Sequence, residues 1–184
     1  MDENLTRLSK TISHALRHAP EEYGLKLDAE GWVAVETLLD TLRKRRSAWR
    51  RLDVATIERI MVESEKQRFE MRDGNIRAFY GHSTAEKIEK QPIAPPELLY
   101  HGTTTEAAAT IRREGLRSMQ RQYVHLSTDE ATARKVALRR TNRPVILRIH
   151  ALEAHRQGIA FYAGNEDIWL ADHVPPAFIA DQQS

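Results

Sequence analysis

The residues able to do chemistry gather in a few short strings: Arg17-His18, Gly81-His82-Ser83, Leu98-Leu99-Tyr100-His101-Gly102-Thr103-Thr104 and Val124-His125-Leu126-Ser127. The third organises the second half of the chain. Two leucines and a tyrosine read as the end of a buried strand. A histidine, a glycine and hydroxyl residues through Thr105 follow. Glycine lets a backbone come close to a ligand, and one of the threonines could cap a helix beginning near Glu106. Such a strand end is a ledge for a flat polar group. Taken alone, a strand-to-helix turn with an incidental histidine accounts for it better. The case for function comes from its surroundings.

Arg17-His18 falls at the end of a helix, where the dipole favours a cationic histidine. The adjacent arginine opposes that charge unless an anion bridges the two. His14 and His18 are four apart, a spacing that can seat a metal. No third ligand accompanies them, so no metal is expected. Arg68 opens a strand in Lys66-Gln67-Arg68-Phe69-Glu70, and Arg121 precedes the strand that carries His125. Three arginines and a histidine around one phosphate would make an oxyanion site, but spacing alone does not bring these four together. Between Arg43 and Arg51 lie six basic residues: Arg43, Lys44, Arg45, Arg46, Arg50 and Arg51. A phosphate-backbone contact and a solvated charge cluster account for them about equally well.

The elements that must position these residues follow from periodicity. Leu5, Leu8, Ile12 and Leu16 step by three and four, which predicts a first helix ended by Pro20. Leu25-Lys26-Leu27 alternates like a short strand before the turn Asp28-Ala29-Glu30-Gly31. Val35, Leu38, Leu39 and Leu42 mark a second helix. Asp53 caps a third, with Val54, Ile57, Ile60 and Met61. Strands Arg68–Met71 and Ile76–Phe79 flank the turn Asp73-Gly74-Asn75. Three helices and a hairpin are the order of a winged helix-turn-helix domain. Gln91-Pro92-Ile93-Ala94-Pro95-Pro96 then reads as an extended connector. Domains are expected at 1–91 and 97–184, with 92–96 as linker. In the second half, strands are expected at Leu98–Tyr100, Val124–Leu126, Val145–Ile149, Gly158–Tyr162, Ile168–Leu170 and Ala177–Ile179. Helices are expected at Glu106–Glu114, closed by Gly115, and at Asp129–Arg140. The fold class is α+β.

Composition narrows the function classes. A chain with 41% hydrophobic and 29% charged residues suits a soluble protein with a real core. Cysteine is absent, which removes a disulfide framework, a thiol nucleophile and a cysteine metal site, and fits a reducing, cytoplasmic location. No signal peptide or bilayer-spanning run is read. Net charge is only +2, but arginine dominates the basic residues, and its planar fork pairs with phosphate. Nucleic acid or a nucleotide is a reasonable partner.

Together the motifs resemble the RNA 2′-phosphotransferase (Tpt1/KptA) family. The matching strings are LSKTISHALRHAPEEYGLKLDAEGWV, KQRFEM, IRAFYGHS, LYHGT, EGLRSMQRQYVHLS, RPVILRI and IWL, in the family's order and across nearly the whole chain. The resemblance implies a winged-helix lobe followed by an ADP-ribosyltransferase-like lobe, with the active site in the cleft between them. It implies removal of an internal RNA 2′-phosphate, of the splice-junction type, with NAD consumed as co-substrate. The 2′-phosphate would attack C1″ of the nicotinamide ribose, and the ribose 2″-hydroxyl would then attack phosphorus. The products would be RNA with a free 2′-hydroxyl, ADP-ribose 1″,2″-cyclic phosphate and nicotinamide. The family's Arg-His-Arg-Arg set falls on Arg17, His18, Arg68 and Arg121, for phosphate binding and transition-state stabilisation. His101, Gly102 and Thr103 match its NAD-binding strand, His125 matches a second histidine, and Ser127 lies beside it. His82 and Ser83 match the substrate-side GHS string, and Arg45, Arg46 and Arg50 are placed on the RNA.

Two departures stand out. Tyr80 occupies the position before GHS where the family usually has glutamine. Glu166-Asp167 precede the strand Ile168-Trp169-Leu170, so no acid lies within it, which a phosphate acceptor, already anionic, tolerates. The rival readings are a one-step ADP-ribosyltransferase acting on terminal phosphates of nucleic acid, and a non-catalytic winged-helix regulator that senses a nucleotide. A monomer that binds RNA and NAD, without metal or membrane, is expected.

Overall fold

Leu5, Leu8, Ile12 and Leu16 all turn inward on α1 (Glu3–Arg17), together with Ser9 and Ala15. Each leucine so buried is worth about 1.5–3 kcal/mol, and this face holds the helix in place. The structure, a computed structural model, describes residues 3–64 and 66–181. Helix α1 stops at Arg17, and Pro20 opens a single 3-10 turn closed by Gly24 at φ 63°. Leu25-Lys26-Leu27 forms no strand: the Leu25 N–H is already committed to the Pro20 carbonyl at 2.9 Å. Its leucines still pack into the core. Asp28 Oδ1 accepts from the N–H groups of Glu30 and Trp32, which makes the predicted turn.

The short strand β1 (Val33–Ala34) leads into α2 (Val35–Arg45), and α3 (Val54–Glu63) is capped by Asp53, whose Oδ1 accepts from the Thr56 N–H at 2.9 Å. The hairpin β2 (Phe69–Arg72) and β3 (Asn75–Ala78) turns at Asp73-Gly74, with φ 51° and 74°. Two left-handed residues match the twist of paired strands. The sheet order is β1-β3-β2, with both pairings antiparallel. Leu8, Leu16, Leu39, Trp49, Ile57, Phe69 and Ile76 belong to one core beneath it.

The chain divides into two compact units, residues 1–89 and 90–184. The second contains β4 (Leu99–Thr103), α4 (Thr105–Glu114), β5 (Leu116–Arg117), β6 (Val124–Ser127), α5 (Glu130–Ala137) and β7 (Val145–Ile149). It continues with α6 (Ala151–Arg156), β8 (Phe161–Ala163), β9 (Ile168–Ala171), β10 (His173–Val174) and β11 (Ile179–Asp181). Six strands form one antiparallel sheet in the order β11-β7-β4-β6-β9-β8, and β10 pairs with β5. Helices combined with sheets whose strands all pair antiparallel make the class α+β. Leu99, Val124, Leu126, Leu147, Ile149 and Phe161 lie in this unit's own core.

Several expected boundaries move. β4 continues through Thr103, because five residues pair with β7 from Leu99↔Ile149 to Thr103↔Val145. His101, Gly102 and Thr103 are therefore strand residues rather than a turn beyond a strand. Thr104 caps α4, its Oγ1 accepting from the Ala107 N–H at 3.2 Å. α5 ends at Ala137 rather than Arg140, β8 begins at Phe161 rather than Gly158, and a 3-10 turn over Pro176–Phe178 delays β11 to Ile179.

Gly102 is where α5 lies on the sheet. A Cβ there would stand 2.1 Å from the Ala133 carbonyl oxygen and 2.9 Å from the Ala137 Cβ. The glycine is thus required by helix-on-strand packing. Gly102→Ala should cost about 1–3 kcal/mol by overpacking, read as a lower urea midpoint at unchanged slope. An undiminished midpoint would show that α5 yields without cost.

Candidate functional site

In the first unit three segments meet at the end of α1. Arg17 is the last helical residue, and its Nη2 donates to the Arg68 carbonyl at 3.0 Å. Arg68 precedes β2 and donates from Nη1 to Ser64 Oγ at 2.6 Å. The segment after β3 closes the group: the Ser83 N–H donates to the Arg17 carbonyl at 2.9 Å, and Ser83 Oγ shares a 2.8 Å hydrogen bond with His18 Nδ1. The Arg17 guanidinium lies 5.3 Å from the centre of the Tyr80 ring. Gly81, at φ 90°, lets the chain turn beside Arg17. Arg17, His18, Arg68 and Ser83 are therefore neighbours, although Ser83 lies 65 residues beyond His18. His82 turns inward and is buried, with its Nε2 close to Gly31.

These two guanidinium bonds go to neutral oxygens, a carbonyl and a hydroxyl, which orient the arginines by hydrogen bonding alone. His18 is exposed and Arg17 and Arg68 are half-buried. Ser64 and Tyr80 complete the group, and neither is marked by sequence spacing. An open groove of about 620 Å³ in the same unit is lined by Lys26, Trp32, Thr37, Arg72 and Asn75, and includes none of these charged residues.

The basic run is divided in its roles. Arg43 is held by Glu36, Asp40 and the Leu52 carbonyl. The Arg45 guanidinium lies 3.8 Å from the centre of the Tyr23 ring and donates to the Glu22 carbonyl. Arg46 lies 5.2 Å from the Trp49 ring centre, and Arg50 is exposed. Tyr23 in turn hydrogen-bonds His14 Nδ1 at 3.2 Å. Arg45 thus supports Tyr23 and His14 as well as carrying charge.

In the second unit β4 and β6 join at Tyr100↔Ser127. Continued, that register would set Gly102 opposite His125. Instead the His101 ring takes the His125 carbonyl, Nδ1 to oxygen 3.0 Å. A carbonyl only accepts, so His101 carries its proton on Nδ1 and leaves Nε2 as an acceptor. His125 makes the same kind of bond to the Tyr123 carbonyl at 3.0 Å. Alternation places His101 and Thr103 on the core side with Leu99, and His125 and Ser127 on the other side with Tyr100. Ser127 is buried, and Arg121 lies exposed in the bend before β6. Among the described residues no group of three or more His, Asp or Glu side chains is placed to hold a metal. No described helix is long and apolar enough to cross a membrane.

Burial pushes the His101 imidazole below the ordinary histidine value, against the His125 carbonyl, with Arg140 adding a smaller push the same way. His101 is therefore neutral at pH 7. Its unfolded form titrates near 6.5. Below that pH the unfolded state binds more protons, so stability is complete above it and falls as pH drops toward the lower folded value. His101→Gln should flatten this acid-side decline, read as a smaller loss of Tm between pH 7 and pH 5. An unaltered decline would assign it to other groups.

Residues 3–173 match the family described as RNA 2′-phosphotransferase, Tpt1 / KptA family. A protein of Acetivibrio thermocellus named "Probable RNA 2'-phosphotransferase" is 47% identical over 174 residues, covering 95% of each chain. One of the same name from Bacillus thuringiensis subsp. konkukian is 46% identical over 175 residues, 95% of this chain and 94% of its own. Another from Flavobacterium johnsoniae is 40% identical over 182 residues, 97% of this chain and 98% of its own. With matches that take in the string around each assembled residue, from Arg17 to His125, this chain belongs to the RNA 2′-phosphotransferase family.

Proposed function

We propose that the protein removes an internal 2′-phosphate from RNA, with NAD as the acceptor that is consumed. The observation that carries the proposal is the meeting of Arg17, His18 and Arg68, each oriented by a neutral partner, at the end of α1. Three such donors suit a phosphoryl group whose oxygens gain charge as phosphorus is attacked. Arg121, on the second unit, is assigned to the same phosphate by the family resemblance. The three helices and hairpin of the first unit support a winged-helix reading, with Arg46 and Arg50 on the RNA backbone. The antiparallel sheet of the second supports an ADP-ribosyltransferase-like reading. His101 suits a ribose, since a neutral ring with a free Nε2 lone pair accepts from a hydroxyl. Thr103, His125 and Ser127 are assigned beside it.

Two steps follow. The 2′-phosphate attacks C1″ as nicotinamide leaves, and positive charge builds on the sugar, so the arginines act here by holding the phosphate. The ribose 2″-hydroxyl then attacks phosphorus, and the arginines stabilise this transition state more than the ground state. The deciding experiment follows a radiolabelled 2′-phosphorylated oligonucleotide with NAD. Nicotinamide, 2′-hydroxyl RNA and the cyclic phosphate are expected. Accumulated ADP-ribosylated RNA in the native protein would indicate a one-step transferase, and no nicotinamide would indicate a regulator.

Arg68→Ala should slow the second step about a hundredfold and let the ADP-ribosylated RNA accumulate. Slower loss of starting RNA without that species would refute the division between steps. Neutralising Arg46 and Arg50 should weaken RNA binding and lessen its salt dependence, with turnover at saturating RNA kept. An unchanged salt slope would place both side chains on a solvated face.

A further inference from the structure

The histidines differ in what holds their Nδ1 atoms. His101, His125 and His155 meet backbone carbonyls, of His125, Tyr123 and Ile159. A carbonyl accepts only, and so fixes the proton on Nδ1. His18 meets a hydroxyl instead, Ser83 Oγ at 2.8 Å, as His14 meets the Tyr23 hydroxyl at 3.2 Å, and a hydroxyl both donates and accepts. On the reading proposed above, we infer that Ser83 is the positioning residue of His18, holding the ring in one orientation through each proton arrangement the reaction needs.

Three arrangements are open to this pair. With Ser83 donating to Nδ1, a neutral His18 carries its proton on Nε2 and can donate it to a bound phosphate. With Nδ1–H donating to Ser83, the neutral ring presents an Nε2 lone pair, a base. With both nitrogens protonated, Nδ1–H still donates to Ser83. A carbonyl partner would forbid the first arrangement, and a carboxylate would favour the third. The first matters because of the surrounding charge. Arg17 adjoins His18, Arg68 is joined to Arg17 through its carbonyl, His14 lies with its ring centre 6.0 Å away, and Tyr80 and His82 share the segment with Ser83. In the first arrangement His18 meets a bound phosphate as a neutral donor beside these guanidinium groups.

The second step then balances on one atom. The ribose O2″ forms its bond to phosphorus, and the bond from phosphorus to the RNA 2′-oxygen breaks. For this step His18 stands in the second arrangement, reached from the first by loss of the Nε2 proton to water and gain of one from water at Nδ1; the O2″ proton passes to the bare Nε2 and from there to the departing RNA oxygen. Through this exchange Nδ1–H stays on Ser83. The fixed point for Ser83 is its backbone, since its N–H caps the Arg17 carbonyl whatever side chain it carries.

The test measures single-turnover formation and breakdown of the ADP-ribosylated RNA between pH 5.5 and 9 for the native protein, Ser83→Ala, Ser83→Thr and Ser83→Asp. Nitrogen chemical shifts of the His18 ring are read in parallel. Ser83→Ala should slow breakdown about tenfold, leave formation unchanged and move the His18 ring shifts. Ser83→Thr, which keeps the hydroxyl, should restore breakdown. Ser83→Asp should raise the midpoint of the breakdown profile by about one pH unit. A Ser83→Ala protein with native pH profile and native ring shifts overturns the inference, as does equal loss of both steps, which would make Ser83 a substrate contact. If the native protein releases no nicotinamide, the proposed reaction fails, while the ring shifts still report whether Ser83 holds His18.

Discussion

One carbonyl oxygen ties the first unit's charged residues together. The Arg68 oxygen accepts both the Phe79 N–H, at 3.1 Å, and the Arg17 guanidinium, at 3.0 Å. The first bond continues the hairpin and the second fixes the end of α1 to it. Because the acceptor is a peptide group, the bond places the two arginines near each other while leaving the charge of the Arg17 guanidinium in place. The residues around it are chosen to hold orientation: Ser64 for Arg68, Tyr80 along Arg17, and Ser83 for both the helix end and His18.

The second unit solves a different problem. His101 is half-buried, neutral and fixed in tautomer, and the backbone of β6 supplies the acceptor that does this. The strands give up part of their ladder for it, joining at Tyr100↔Ser127. On the adjacent face Gly102 admits α5, so one strand serves the helix with its glycine and the sheet interior with its histidine. The glycine in this string thus has a packing role beside the cofactor role that the resemblance implies.

Elements carried by their own repeating pattern were legible. The leucine spacing of α1, the Asp53 cap and the Asp73-Gly74 turn each act within a few residues. What escaped depends on distant partners. β4 extends to Thr103 because Val145 lies alongside, and no local signal says so. Leu25-Lys26-Leu27 alternates like a strand but has spent an N–H on Pro20. α6 is only six residues long, and β1, β5 and β10 have two residues each, too few for a period to show. The site lay further out of reach. Arg17 and Arg68 are 51 residues apart and His18 and Ser83 are 65 apart, so residue types could suggest an anion site but only the family resemblance joined its members.

The hairpin tip has a consequence for mutational tolerance. Asp73-Gly74 fixes the pairing Arg72↔Asn75, and that register runs back through Phe69↔Ala78 to the Arg68 carbonyl. A slip of one residue would turn every side chain of β2 to the opposite face. Arg68 would leave with them, and so would the oxygen that anchors Arg17. Two solvent-facing residues thus govern where the Arg68 carbonyl and the Arg17 guanidinium it anchors are placed, some distance along the ribbon. Random variation should find this tip far less forgiving than its exposure suggests, since a slip would also turn Phe69 out of the core.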